Sequence, residues 1–307
     1  MTVPARAVVF AYHDVGAACL RVLVRHGIDI PLVVTHHDDP SETLWFARVA
    51  DVAAGLGLDT AAPDDPNTPA FVARIATLAP DFIFSFYYRR MLAPALLATA
   101  RRGALNMHGS LLPRYRGRAP VNWAVLNGET ETGATLHYMA AKPDAGDIVA
   151  RRAVPIGPDD TAREVMDKVT VAAAGLLDEV LPALVDGRAP RVANDIAAGS
   201  YFGGRTAEDG RIDFRWPARR VHDLVRAVAP PYPGAFVDLP GGRLRILRTR
   251  RLARDPPDAP DTTGLYVAGD CVYARCGDGA GVAVLEAEHG GRRVDARGVA
   301  ALLATAD

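Results

Sequence analysis

Cysteine is scarce in this chain, with three in 307 residues. Cys19, Cys271 and Cys276 are odd in number and match no zinc or redox spacing. They read as reduced thiols of a cytoplasmic protein and exclude a disulfide scaffold. No apolar run reaches the ~18 residues that a membrane span needs. The N-terminal run from Ala7 to Tyr12 is too short for a signal peptide and stops at His13-Asp14. Membrane insertion is therefore not expected. Neither sign of charge is in excess: 35 lysines and arginines face 36 acids, a net charge of -1. That balance argues against a nucleic-acid partner. The first strand is not followed by Gly-x-Gly-x-x-Gly, so there is no dinucleotide fingerprint. No internal repeat is visible, and no metal is expected.

What is present is an alternation of short apolar runs and helical patterns. Ala7–Tyr12, Ile28–Thr35, Leu58–Ala62, Asp81–Tyr87 and Gly103–His108 read as buried strands. Helices are expected over Ala17–His26, from a Ser41 cap through Trp45, Phe46, Val49, Val52 and Ala53, over Phe71–Leu78 and over Pro94–Arg101. Such alternation predicts an α/β fold with a doubly wound, mainly parallel sheet. A short helix is expected over Val121–Leu126, strands over Glu131–Met139 and Ile148–Val154, and a long helix from a Thr161 cap to about Leu184. Glu164 completes a capping box at that cap.

Residues 186–200 lose this periodicity and read as a linker. The expected domains are therefore 1–185 and 201–307. The second has one helical pattern, Ala218–Val228, and short strands punctuated by Gly and Pro: Ala235–Leu239, Arg243–Arg248, Gly264–Ala268, Cys271–Cys276 and Gly281–Ala287. It reads as a small β-rich, partly open barrel. Arg254–Thr262 reads as a loop.

The chemistry points to Gly103–Pro113. Asn106 and His108 are two apart on a strand, so their side chains leave the same face. An amide donor thus stands beside a group that titrates near neutral pH. An amine attacking a carbonyl builds an oxyanion, which Asn106 can stabilise, and an ammonium, whose proton His108 can take. A carboxylate beside the imidazole would orient it and favour its charged form. Asp144, in the turn Lys142–Asp147, is one candidate and Asp147 the other; spacing alone does not choose. The loop Arg114–Pro120 adds three arginines suited to an anion or polar ligand edge.

Asn106–Pro113, followed by Tyr115-Arg116-Gly117 and later by Asp144-Ala145-Gly146-Asp147-Ile148, resembles the signature of folate-dependent formyltransferases. Val8–Asp14, Phe84–Arg89, Arg116–Pro120, Asn127–Gly133, Arg226–Val228 and Tyr232–Phe236 resemble more closely the branch that formylates UDP-4-amino-4-deoxy-L-arabinose in lipid A modification and polymyxin resistance. The resemblance implies a Rossmann-like catalytic domain and an OB-like C-terminal domain. It implies 10-formyltetrahydrofolate as co-substrate and a UDP-amino sugar as acceptor. By it, Asn106 stabilises the transition state, His108 shuttles the proton and Asp144 raises the pKa of His108. The folate would lie along Arg90, Met91 and Leu92, against Arg118, and along Ala140, Ala141, Lys142, Pro143 and Asp144, largely on backbone. The fused enzyme of that branch carries a decarboxylase half where this chain stops at Asp307. The expectation is that a separate protein decarboxylates, or that the acceptor is another amino sugar. Methionyl-tRNA formyltransferase is the alternative within the family, but the lysine-rich insertion that grips tRNA has no counterpart here. A formyltetrahydrofolate hydrolase would use the same triplet with water as nucleophile.

Overall fold

The first strand, β1 (Arg6–Ala11), has Ala7 to Ala11 wholly buried, as its unbroken apolar sequence requires. The computed structural model describes residues 4–38, 44–254 and 259–304. Following β1 come α1 (His13–Arg25), β2 (Asp29–Val34), α2 (Val49–Gly55), β3 (Thr60–Ala61), α3 (Pro69–Thr77), β4 (Phe82–Phe86), α4 (Pro94–Leu97), β5 (Gly103–His108) and β6 (Arg116–Gly117). Next are α5 (Pro120–Leu126), β7 (Glu131–Tyr138), β8 (Ile148–Pro155), α6 (Ala162–Val185) and β9 (Tyr201–Phe202). The remainder is α7 (Ala218–Val228), β10 (Ala235–Leu239), β11 (Gly242–Arg251), β12 (Gly264–Ala268), β13 (Cys271–Arg275), β14 (Gly281–His289), β15 (Arg292–Arg293) and α8 (Ala296–Ala304).

The chain forms two compact units. The first takes residues 1–120, 132–154 and 167–202. Its seven-stranded sheet has the order β3-β2-β1-β4-β5-β7-β8. β1, β2, β3, β4 and β5 pair in parallel, and β7 joins β5 antiparallel. The expected α/β architecture is the one observed. Several bounds differ. Helix α1 begins at His13, ahead of the expected Ala17, because the Gly16 amide already closes its first turn on the Tyr12 carbonyl at 3.1 Å. Trp45 and Phe46 precede α2, whose N-cap is Arg48; Ser41 lies outside the described residues. Helix α4 stops at Leu97, and the Arg101 and Arg102 amides return the chain to the sheet by donating to Pro80 and Asp81.

The second unit takes residues 121–131, 155–166 and 203–307. Its sheet, β10-β11-β14-β13-β12 with β15 on β14, is antiparallel, an open half-barrel. Two segments from the middle of the chain belong to it because α7 holds them. Asn122 Nδ2 donates to the Ala227 carbonyl at 2.8 Å, and Arg226 Nη1 donates to the carbonyls of Gly157 and Asp160. Residues 186–200, read from sequence as a linker, group with the first unit, where the amides of Arg116 and Arg118 donate to Ser200 and Phe202. The capping box at Thr161 is formed: the Thr161 amide donates to Glu164 Oε2 at 2.7 Å, and the Glu164 amide to Thr161 Oγ1 at 3.3 Å.

Candidate active site

Strand β5 alternates as its sequence requires. Leu105 and Met107 are buried on one face, while Asn106 and His108 share the other. Asp144 reaches the same face from the turn between β7 and β8, its Oδ1 3.5 Å from His108 Nδ1. The turn puts Asp144 at φ 49°, a left-handed conformation that Asp tolerates better than most residues. Gly117 holds the carboxylate from the other side, its amide donating to Asp144 Oδ2 at 2.8 Å. At φ 100°, with the Phe202 carbonyl oxygen 2.1 Å from where a Cβ would stand, that position admits only glycine.

The structure chooses between the two aspartates. Asp147 Oδ2 accepts from Arg191 Nε at 2.7 Å in a surface pair, away from His108. Asp144 is the carboxylate that meets the imidazole. Burial alone would raise the Asp144 carboxyl, but the charge of His108 and the Gly117 amide hold it well below the usual carboxylate range.

The other nitrogen of His108, Nε2, lies 2.8 Å from the Tyr115 carbonyl oxygen. Both ring nitrogens thus face oxygen acceptors. The loop that supplies Tyr115 is held by its own bonds: Ser110 Oγ donates to the Arg114 carbonyl at 2.6 Å, and Thr135 Oγ1 to the Ser110 carbonyl at 2.6 Å.

One site residue was not singled out by sequence reasoning. His137 on β7 stands opposite Asn106 in the antiparallel register. Its Nδ1 lies 2.8 Å from the Tyr138 carbonyl, so Nδ1 carries the proton, and Nε2 accepts from Asn106 Nδ2 at 3.1 Å. This bond fixes which way the Asn106 amide points. One N–H is spent on His137, and the second is directed elsewhere. The pairing follows from register between strands some 31 residues apart, which no local pattern announces.

His13, Tyr87, Tyr115, Ala119 and Asp144 all have positive φ, from 49° to 65°. His13, Tyr87 and Asp144 follow β1, β4 and β7, and Tyr115 and Ala119 flank β6. Backbone strain of this kind gathers at ligand sites.

The positions expected along the folate divide. Arg90, Met91, Arg118, Ala140, Ala141 and Lys142 are exposed, and Pro143 is half-buried. Leu92 is 3% exposed and packs in the core with Phe10, Ile83 and Leu96, so it can offer a ligand only its main chain. The Met91–Ala93 strip is pinned by Asn67, which donates to the Met91 carbonyl at 3.0 Å and accepts from the Ala93 amide at 2.7 Å. Among the described residues, no group of three His, Cys, Asp or Glu is arranged to hold a metal ion, and no helix is long and apolar enough to cross a membrane.

An α/β sheet with an amide and a histidine on one face, met by a half-buried carboxylate from an adjoining turn, holds the groups that acyl-transfer chemistry uses. The family models name the acyl group. The formyl transferase model matches residues 6–181, and the model of the formyl transferase C-terminal domain matches residues 205–301. The chain belongs to the formyl transferase family. Its fold is similar to that of WlaRD, a sugar 3N-formyl transferase solved with dTDP and 5-N-formyl-THF, with a TM-score of 0.72 at 15% identity, covering 92% of this chain and 97% of that one. It is similar also to the N-formyltransferase of Helicobacter canadensis solved with folinic acid and dTDP-3-aminofucose, with a TM-score of 0.73 at 16% identity, covering 92% and 99%. HypX of Aquifex aeolicus matches 97% of this chain over 47% of its own length, with a TM-score of 0.65 at 17% identity.

Proposed function

We propose that this formyltransferase moves a formyl group from 10-formyltetrahydrofolate to the 4-amine of a UDP-amino sugar, UDP-4-amino-4-deoxy-L-arabinose by the sequence resemblance. The observation that carries the chemistry is the arrangement around Asn106. With its amide oriented by His137, the second N–H is the donor for the oxyanion that forms when the amine attacks the formyl carbon. His108 holds the proton that passes from the attacking nitrogen to the departing one, and its Nε2, now against Tyr115, is the atom that exchanges it. Asp144 keeps the ring oriented and compensates its charge.

The exposed strip at Arg90 and Met91, the exposed stretch Ala140–Lys142 and the Arg118 segment fit a flat ligand read mainly through main-chain groups. The bound 10-formyltetrahydrofolate would supply the formyl carbon. Two solved folds similar to this one were crystallised with formylated folates and dTDP or a dTDP-sugar, which supports a nucleotide-linked acceptor. In this reading the first unit carries catalysis, and the chain acts in the cytoplasm, in keeping with three unpaired cysteines.

The test is formyl transfer from 10-formyltetrahydrofolate to UDP-4-amino-4-deoxy-L-arabinose, with formylatable methionyl-tRNA as parallel acceptor. Turnover of the sugar nucleotide alone is the expected result. Turnover of the tRNA alone would overturn the acceptor assignment. Silence with both, set against transfer to another nucleotide-linked amino sugar, would keep the chemistry and replace the sugar.

A further inference from the structure

We propose that the second unit carries a binding site for a nucleoside diphosphate. A cavity of about 550 Å³ opens among residues that all belong to this unit. Its size is in the ~300–1,000 Å³ range of small-molecule sites. Trp123 on α5 and Trp216 just before α7 line it, together with Arg205, Arg219 and Arg220.

The Trp123 indole and the Trp216 main chain are fixed. Trp123 Nε1 donates to the Gly203 carbonyl at 3.0 Å. The main chain at Trp216 is held at both sides: its carbonyl accepts from the Gly277 amide at 3.0 Å, and the Ala218 amide donates to Asp278 Oδ1 at 3.1 Å. Each ring has a guanidinium beside it, Arg205 at 4.8 Å from Trp123 and Arg220 at 4.1 Å from Trp216.

The acids in the cavity only partly offset these cations, and Arg219 also donates from Nη2 to the Gly128 carbonyl at 2.6 Å. Asp223 is committed to Arg226, 2.8 Å away with both side chains buried, and lies 3.5 Å from Arg219 Nε. The Asp209 carboxylate accepts from the Thr206 amide and hydroxyl. A chain of net charge -1 thus presents a locally positive, aromatic cavity. Guanidinium groups match phosphate oxygens bidentately, and indole faces stack on bases. A planar base joined to two phosphates supplies both partners; inorganic anions supply one.

The ligand has two possible sources, the nucleotide of the acceptor itself or a separate nucleotide effector. The experiment separates them. UDP is titrated into the full chain by calorimetry and by intrinsic fluorescence, since two of the three tryptophans line the cavity. UDP is expected to bind and quench saturably, and uridine to need at least ~10-fold more, because each lost charge-assisted bond is worth about a decade in affinity. The Arg219→Ala/Arg220→Ala variant is expected to weaken UDP binding at least ~10-fold with an unchanged circular dichroism spectrum. Trp216→Ala, made separately, is expected to weaken binding with both guanidinium groups of α7 in place.

Unchanged UDP binding in both variants, or no UDP binding by the unsubstituted chain, would overturn the proposal. If UDP binding falls and the KM for a sugar-nucleotide acceptor rises by the same factor with kcat kept, the ligand is the acceptor's own nucleotide. If UDP binding falls and KM stays, the site serves a separate nucleotide. Failure of formyl transfer with UDP binding intact would sink the catalytic reading and leave this one standing.

Discussion

Asn106 has two amide protons, and the bond to His137 accounts for one. The proposed use of the other makes Asn106→Ala a loss of the oxyanion donor, expected to cost at least ~100-fold in kcat, and His108→Ala a similar loss of the proton carrier. Near-normal turnover by either variant would refute the roles. The two aspartates give a sharper contrast. Asp144→Asn is expected to cost rate severely, whereas Asp147→Asn removes a surface pair with Arg191 and is expected to leave the rate unchanged. The pH dependence has a definite sign. Asp144 titrates lower folded than its unfolded value of about 3.9. Its contribution to stability is therefore complete above that value and is lost only as pH falls toward the folded pKa. Across the neutral range Asp144 stays ionised, so its contribution to stability should not change with pH there. Of this site, Asn106, His108 and the competing aspartates were visible in the sequence because their residue types and a strand-then-loop pattern are local. Spacing alone left Asp144 and Asp147 open and the family resemblance named Asp144; His137 was not seen, because its place depends on which strands pair.

At the scale of elements, legibility followed locality in the same way. Helix α7 has the bounds that its periodicity predicts, Ala218–Val228. Helix α1 begins early because the Gly16 amide closes on the Tyr12 carbonyl, although His13 stands at a positive φ that no residue type announces. The two-residue ladder of β6 and β9 joins positions 85 apart by number, Arg116 with Tyr201, and leaves no local trace. Helix α8 is short and alanine-rich and was not expected from the sequence, although Asp295 caps its start by accepting from the Gly298 amide at 2.9 Å. The Thr161 cap is the element-scale feature easiest to test. Removing its hydroxyl leaves the Glu164 amide without that acceptor at the head of a 24-residue helix. Thr161→Ala is expected to lower unfolding stability by about 1 kcal/mol, measured as a shift in denaturant midpoint with unchanged slope.

Taken whole, the molecule has three unpaired thiols in unlike settings. Cys271 is exposed, while Cys19 and Cys276 are buried. Burial pushes the Cys19 thiol far up, and burial and then Asp278 push Cys276 up to about 12. A thiol reagent should therefore modify one cysteine per native chain rapidly and the other two only as the chain unfolds. Rapid modification of all three would contradict the packing described around β13 and α1.

The two units also share the polypeptide in an unusual way. Residues 121–131 and 155–166, drawn from the span matched by the formyl transferase model, belong to the second unit, and residues 167–202 belong to the first. Genetic exchange of everything after residue 202 would hand the incoming half-barrel a foreign Asn122, Gly157 and Asp160 for its α7 to grip. Novelty acquired by swapping tails would thus arrive with mismatched seams, and the two units must be inherited, and altered, together.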